Sequence, residues 1–107
     1  MTVSVITVTY NAADTVADAV RSVVDQRGNF KLDYHIVDGV STDTTLAEIA
    51  PFEDRIAKVT SDPDHGLYDA MNRGVARAKG DIIGILNADD RFADDRVIAD
   101  VIAAFEA

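Results

Sequence analysis

The sequence predicts an α/β fold, a mostly parallel sheet covered by helices in a Rossmann-like three-layer α/β/α arrangement. Three observations predict it. Apolar strand-like runs alternate with helically spaced apolar stripes in the order β-α-β-α-β-α-β-α, about four strands and four helices. The connections are short and place polar residues directly after each strand-like run. Ile82-Ile83-Gly84-Ile85-Leu86 is apolar throughout, which predicts a central strand buried on both faces of a parallel sheet.

The first strand is expected over residues 2–8, rich in β-branched side chains, with a polar stop at Thr9-Tyr10-Asn11. A helix over 13–26 follows, because Val16, Val20, Val23 and Val24 recur at helical spacing and Asp18, Arg21 and Asp25 fall outside. Gly28 ends it. A second strand over 34–37 runs into Asp38-Gly39-Val40-Ser41. The next helix is short, capped by Asp43 or a neighbouring threonine, with Leu46, Ile49 and Ala50 inward and Pro51 closing it. Residues 56–59 alternate apolar and polar, as a half-exposed edge strand should. Residues 61–66 form a turn-rich loop. Leu67, Met71 and Val75, with Ala70, Gly74 and Ala78 beside them, then mark a third helix, in which Gly74 permits close packing. A last helix, capped near Asp94, carries Val97, Ile98, Val101, Ile102 and Phe105 on one stripe.

The chain has 107 residues, the size of one domain spanning 1–107. It has no cysteine, which excludes a disulfide framework and thiolate metal sites and fits a reducing, cytoplasmic setting. No basic leader precedes the first strand, and no apolar run reaches the length of a bilayer span. Ten basic residues stand against 19 acidic ones, a net charge of −9, so nucleic acid is not an expected partner. An acidic site can hold an anion if a divalent cation sits between them.

In an open parallel sheet, ligands bind beyond the carboxyl ends of the strands. Thr9, Tyr10 and Asn11 follow the first strand; Asp38, Ser41 and Asp43 follow the second. Asp62, Asp64 and His65 follow the third; Asn87, Asp89 and Asp90 follow the fourth. Several have ordinary structural explanations. Asp43, Asp64 and Asp94 sit where helices begin and suit caps, and Asn11 suits an Asx turn. His65 suits an exposed loop. Asp89 and Asp90 are harder to explain, because adjacent carboxylates at the end of a buried strand repel each other. Arg91 could offset them; a bound Mg²⁺ or Mn²⁺ is the simpler answer, since these ions take one or two carboxylates and keep positions for phosphate oxygens. No Gly-x-Gly-x-x-Gly follows the first strand and no P-loop occurs.

Four blocks carry a family resemblance. Val5-Ile6-Thr7-Val8-Thr9-Tyr10-Asn11, Val37-Asp38-Gly39-Val40-Ser41-Thr42-Asp43, Asp64-His65-Gly66-Leu67-Tyr68-Asp69-Ala70-Met71-Asn72-Arg73-Gly74 and Gly80-Asp81-Ile82-Ile83-Gly84-Ile85-Leu86-Asn87-Ala88-Asp89-Asp90 resemble the family 2 glycosyltransferases of the GT-A fold. They stand in the family's order and spacing over nearly the whole chain. The resemblance implies inverting transfer of a sugar from a nucleotide diphosphate, usually a UDP-sugar, to an acceptor hydroxyl on a saccharide or a lipid-linked carrier. It implies that Thr9, Tyr10 and Asn11 border the nucleobase and that Asp38 hydrogen-bonds the base or ribose. Asn87-Ala88-Asp89 stands at the family's Asp-x-Asp motif, with Asp89 the metal ligand on the diphosphate. Asp64 and Asp69 would face the donor sugar or the diphosphate, Asp64 among the nucleotide-binding residues, and Asp69 and Asp90 among the sugar-binding ones. Two departures are Gly39, where many members have a second aspartate, and Asn87, which adds no charge at the metal.

In that family the general base and acceptor site lie beyond the Asp-x-Asp strand, so the base is expected beyond Ala107 and no catalytic residue within the chain. The last helix runs to the final residue, which predicts a boundary cut through a longer chain, one that binds donor but transfers negligibly by itself. The full-length enzyme would work in the cytoplasm or at the inner face of the membrane. The strand over 82–86 would then leave an unpaired edge, which invites a homodimer. Competing readings are a nucleotidyltransferase making NDP-sugars, a receiver-like signalling domain and a non-catalytic nucleotide-binding fragment. The first lacks its glycine-rich basic loop, and the second lacks its acidic pair after the first strand.

Overall fold

The computed structural model describes residues 1–63 and 66–106. Its elements are β1 (Thr2–Thr9), α1 (Val16–Val24), β2 (Lys31–Asp38), α2 (Thr45–Ile49), a 3-10 turn (Ala50–Arg55), β3 (Lys58–Ser61), α3 (Leu67–Arg77), β4 (Ile82–Ile85) and α4 (Val97–Glu106). The strands lie in the order β3-β2-β1-β4, and every pairing is parallel. Strand order therefore reverses between β1 and β4, the place where an open parallel sheet opens a crevice.

Register decides which side chains share a face. Val5 pairs with Tyr34, and Val3, Val5, Tyr34 and Ile36 meet Val16, Val20 and Val23 of α1, Ile49 of α2, and Ile98 and Ile102 of α4 in the main core. Val16, Val20 and Val23 are fully buried, each stabilising the fold by about 2 kcal/mol relative to exposure. Tyr34 lies in this core with its hydroxyl 2.7 Å from Thr7 Oγ1, and burial pushes its pKa up to about 12. On the opposite face Ile6 and Val37 pack against Ala70 of α3. Gly74 makes that contact close: a Cβ there would sit 2.5 Å from Ile6 Cγ2. The result is three layers, α1, α2 and α4 on one face and α3 on the other. Among the described residues, no helix is long and apolar enough to cross a membrane.

The carboxyl-terminal side of the sheet is polar, and so is one spot on the other side. Ser4 Oγ donates to Asp33 Oδ2 at 2.7 Å and accepts from the Gly80 amide at 2.8 Å, joining β1, β2 and the turn before β4. Burial raises the Asp33 carboxyl, but donors from Ser4, the Lys79 amide and His35 together bring it below the usual carboxylate range.

Several expectations need correction. Ile82–Ile85 has the open edge expected of it among the described elements, but it is not buried on both faces: Ile83 and Ile85 are 43% and 47% exposed. Val75, Val101 and Phe105 are exposed, as is Leu46, because a helical stripe broader than its groove leaves its margins uncovered. Ala50 is exposed too. The second α-helix does stop just before Pro51, at Ile49, but the chain continues as a 3-10 segment with Pro51 in its first turn, where its missing N–H costs nothing. β3 begins at Lys58 and runs on to Ser61, and α1 begins only at Val16.

Candidate donor site at the switch point

A cleft of about 440 Å³ opens where the strand order reverses, lined by Val8, Tyr10, Asn11, Ala12, Thr15, Asn87, Ala88 and Asp89. Its two walls are the loop after β1 and the turn after β4. Tyr10, Asn11, Asn87 and Asp89, four residues singled out from the sequence, are thereby brought together. Tyr10 is 64% exposed and offers an aromatic face to this space.

The wall after β1 is held from below. Asn11 adopts a left-handed φ of 47°, and its Oδ1 accepts from the Thr42 amide at 2.8 Å. The Asn11 amide donates to Ser41 Oγ at 2.9 Å, and the Ala12 amide to Thr45 Oγ1 at 2.8 Å. Asp43 accepts from the Thr45 amide at 2.9 Å, from the Thr45 hydroxyl, and from the Ala13 amide at 3.3 Å. The Thr45 hydroxyl, first among these donors, holds the Asp43 carboxyl below its ordinary value. Asn11 and Asp43 therefore knit the loops after β1 and β2 into one platform.

Beneath the platform lies Asp38, fully buried, as is Thr9 at 1% exposure; neither lines the cleft. Asp38 Oδ1 accepts from Thr9 Oγ1 and from Ser41 Oγ, each at 2.6 Å. Its Oδ2 accepts from the Ser41 amide at 2.9 Å and from Ser61 Oγ at 2.8 Å. Those four donors occupy the acceptor positions of a carboxylate. Burial raises this carboxyl, but the combined donors from Ser41, Thr9 and Ser61 outweigh it and lower the pKa, which favours the ionised form with no cationic partner among the described residues. Thr45 and Ser61 drew no attention as site residues in the sequence. Their signal was a hydroxyl at the start of a helix and one at the end of a strand beside an aspartate-ended strand.

Residues 87–90 form a turn, closed by the Asp90 amide donating to the Asn87 carbonyl at 3.0 Å. Ala88 is buried beneath it, while Asn87, Asp89 and Asp90 are exposed. Asp89 and Asp90 border a second, smaller hollow with Thr15, Asp18 and Arg91. Among the described residues neither carboxylate takes a side-chain hydrogen bond or an ion pair, and Arg91 pairs with neither. Among the described residues no group of three or more acidic or histidine side chains converges on a single point. Two adjacent carboxylates nevertheless fit a Mg²⁺ or Mn²⁺ ion that completes its shell with water and phosphate oxygens. Asp69, in the first turn of α3, is paired with Arg73 at 3.1 Å and does not line the cleft. Asp64 and His65 lie outside the described residues.

Switch-point topology with a cleft beyond the carboxyl ends of β1 and β4 defines an open parallel α/β protein of the ligand-binding type. Comparison with known proteins sharpens that class. The Glycosyl transferase family 2 pattern matches residues 4–107, and the chain belongs to that family. A Mycobacterium tuberculosis protein described as an uncharacterised glycosyltransferase is 40% identical over 103 residues, covering 96% of this chain and 39% of the relative. The chain thus spans about two fifths of the length of the relatives it matches. The fold is that of Staphylococcus aureus TarS 1-349 in complex with UDP-GlcNAc, with a TM-score of 0.87, 24% identity, and coverage of 99% of this chain and 31% of that one. It is also that of the mannosyltransferase PcManGT from Pyrobaculum calidifontis in complex with GDP-Man and Mn²⁺, with a TM-score of 0.82, 24% identity, and coverage of 94% and 31%.

Proposed function

We propose that this chain is the donor-binding part of an inverting glycosyltransferase that takes its sugar from a nucleotide diphosphate, most simply a UDP-sugar, for an acceptor hydroxyl on a saccharide or lipid-linked carrier. One observation carries the proposal. Among the described residues, the switch-point cleft is lined by Asp89, the amides Asn11 and Asn87, Tyr10 and Thr15, and by no lysine, arginine or histidine, yet the structural neighbours hold UDP-GlcNAc, or GDP-Man with Mn²⁺. A divalent ion between the diphosphate and the carboxylates lets such a site take it. Asp89, with Asp90 beside it, would hold Mg²⁺ or Mn²⁺; when bound, the ion neutralises the leaving diphosphate. The chain's own residues do the rest. Tyr10 and Asn11 border the nucleoside, Asn87 donates from its amide to phosphate or ribose oxygens, and Thr9 and Asp38 hold the wall on which Tyr10 and Asn11 stand. Asp64 and Asp69 belong to the donor-sugar side of this reading. The open edge of β4, in the same proposal, pairs with a second copy of the chain.

The test is calorimetry with UDP, with and without Mn²⁺. Binding is expected only when the metal is present, and Asp89→Ala should remove it. Equal UDP heats in EDTA and in Mn²⁺, or wild-type binding by Asp89→Ala, would defeat the metal-bridged site.

A further inference from the structure

The turn at residues 87–90 is suspended between two anchors. Upstream, the Leu86 amide donates to the Ile6 carbonyl at 2.9 Å, fixing the chain to β1. Downstream, the chain is fastened to the far end of α1. The Phe92 amide donates to Ser22 Oγ at 3.0 Å. Gln26 Nε2 donates to the Asp94 carbonyl at 2.6 Å, while Gln26 Oε1 accepts from the Ile98 amide at 3.0 Å. The Arg27 amide donates to the Asp95 carbonyl at 2.7 Å. Ser22 and Gln26 are themselves locked: Ser22 Oγ donates to the Ala19 carbonyl at 2.8 Å, and Gln26 Nε2 donates to the Ser22 carbonyl at 3.1 Å.

We propose that Ser22 and Gln26 are positioning residues for the acidic turn, holding Asp89 and Asp90 in place through the strap at residues 92–98. This rests on the reading of that turn as the metal site. The two carboxylates have no side-chain partner of their own among the described residues, so their place is set by whatever holds the backbone on either side. The β1 anchor is ordinary sheet pairing. The other joins one backbone bond, from the Arg27 amide, to two side chains, and a glutamine that donates to one strap carbonyl and accepts from an amide four residues on fixes both the spacing and the direction of the strap. α1 also joins the two walls, because Thr15 at its amino end borders the cleft alongside Asp89. A metal site whose ligands lean on such supports loses affinity when a support is removed.

Gln26→Leu and Ser22→Ala remove the polar groups at similar volume, Ser22→Thr restores the hydroxyl, and Val20→Ala in the core serves as a control matched for lost thermal stability. Two quantities are read on the whole chain: Mn²⁺ affinity in the presence of UDP, and exchange of the Asp90 amide without metal. Gln26→Leu and Ser22→Ala should weaken Mn²⁺ about tenfold and speed Asp90 exchange, with Ser22→Thr close to wild type and Val20→Ala changing neither at Asp90 nor at the metal. Unchanged Asp90 exchange in Gln26→Leu, or an equal change in Val20→Ala, overturns the positioning role. If exchange responds as expected but the wild type takes no Mn²⁺, positioning is upheld and the metal-bridged donor site is what fails.

Discussion

Asp38 Oδ1 accepts a hydrogen bond from Thr9 Oγ1 at 2.6 Å, and this contact closes the carboxyl ends of β1 and β2 over one another. With Ser61 donating to the other oxygen, a single buried carboxylate joins three strand ends. Gly39 adds a backbone link, its amide donating to the Thr9 carbonyl at 2.9 Å. Replacing Asp38 by asparagine keeps the shape but removes the charge and turns one acceptor into a donor, which would clash with the Ser41 amide at the Oδ2 position and require the Thr9 and Ser41 hydroxyls to reverse at the Oδ1 position. Asp38→Asn is expected to cost about 2 kcal/mol, the loss of hydrogen bonds to a buried charged acceptor. Urea unfolding at neutral pH measures it, and a loss near zero would show that the network is dispensable.

The same carboxylate makes stability depend on acid. Asp38 and Asp33 both titrate below their ordinary value of 3.8 in the folded chain. A folded-state pKa that is depressed supplies stability above the unfolded value and loses it as pH falls through the folded one. The melting temperature should therefore hold steady from neutrality down to about pH 5 and drop below about pH 4. In Asp38→Asn the acid limb should be shallower, because one of the linked protons is gone. An acid limb as steep as the wild type's would assign the linkage to other groups.

Gly74 and Ile6 supply a packing test on the other face of the sheet. A methyl group at 74 would fall 2.5 Å from Ile6 Cγ2, and Ile6 is fully buried. Gly74→Ala should destabilise by about 2 kcal/mol through overpacking, despite the better helix propensity of alanine. Ile6→Ala alone opens a cavity at a cost of about 3 kcal/mol. Combined, the two changes should cost less than their sum, since each relieves the other's fault. Strict additivity in denaturant unfolding would mean that α3 shifts away from the sheet instead.

The element order, the parallel sheet and the acid-rich rim could be read from the sequence because each rests on local pattern: alternation, helical spacing, and polar residues after apolar runs. Tyr10, Asn11, Asn87 and Asp89 were legible as a group because strand ends in a parallel sheet must share one side. Pattern says nothing of hydrogen-bond partners distant in sequence. The donors that hold Asp38 were hidden, because Thr9 and Ser61 are 29 and 23 residues away. Gln26 looked like the end of a helix because its partners Asp94 and Ile98 are 68 and 72 residues away. Exposure of Val75 and Phe105 was illegible for a related reason: an apolar stripe reports what a helix can bury, while coverage depends on what lies opposite.

β4 leaves an open edge, and its four residues, Ile82–Ile85, contain no charge and no proline to discourage a further strand. Ile83 and Ile85 add nearly half-exposed side chains beside it. Pairing two copies along this edge brings together chains that each carry a net charge of −9, so association should be weak at low salt and strengthen as salt screens the repulsion. Sedimentation equilibrium is expected to show a dimer fraction that rises between low and high ionic strength. Ile85→Lys places an ammonium on the edge and should keep the chain monomeric at either salt, with the helical signal unchanged. A dimer that persists in Ile85→Lys, or one that weakens with added salt, would move the contact to another surface, because an edge-paired dimer of so acidic a chain has no electrostatic attraction for salt to remove.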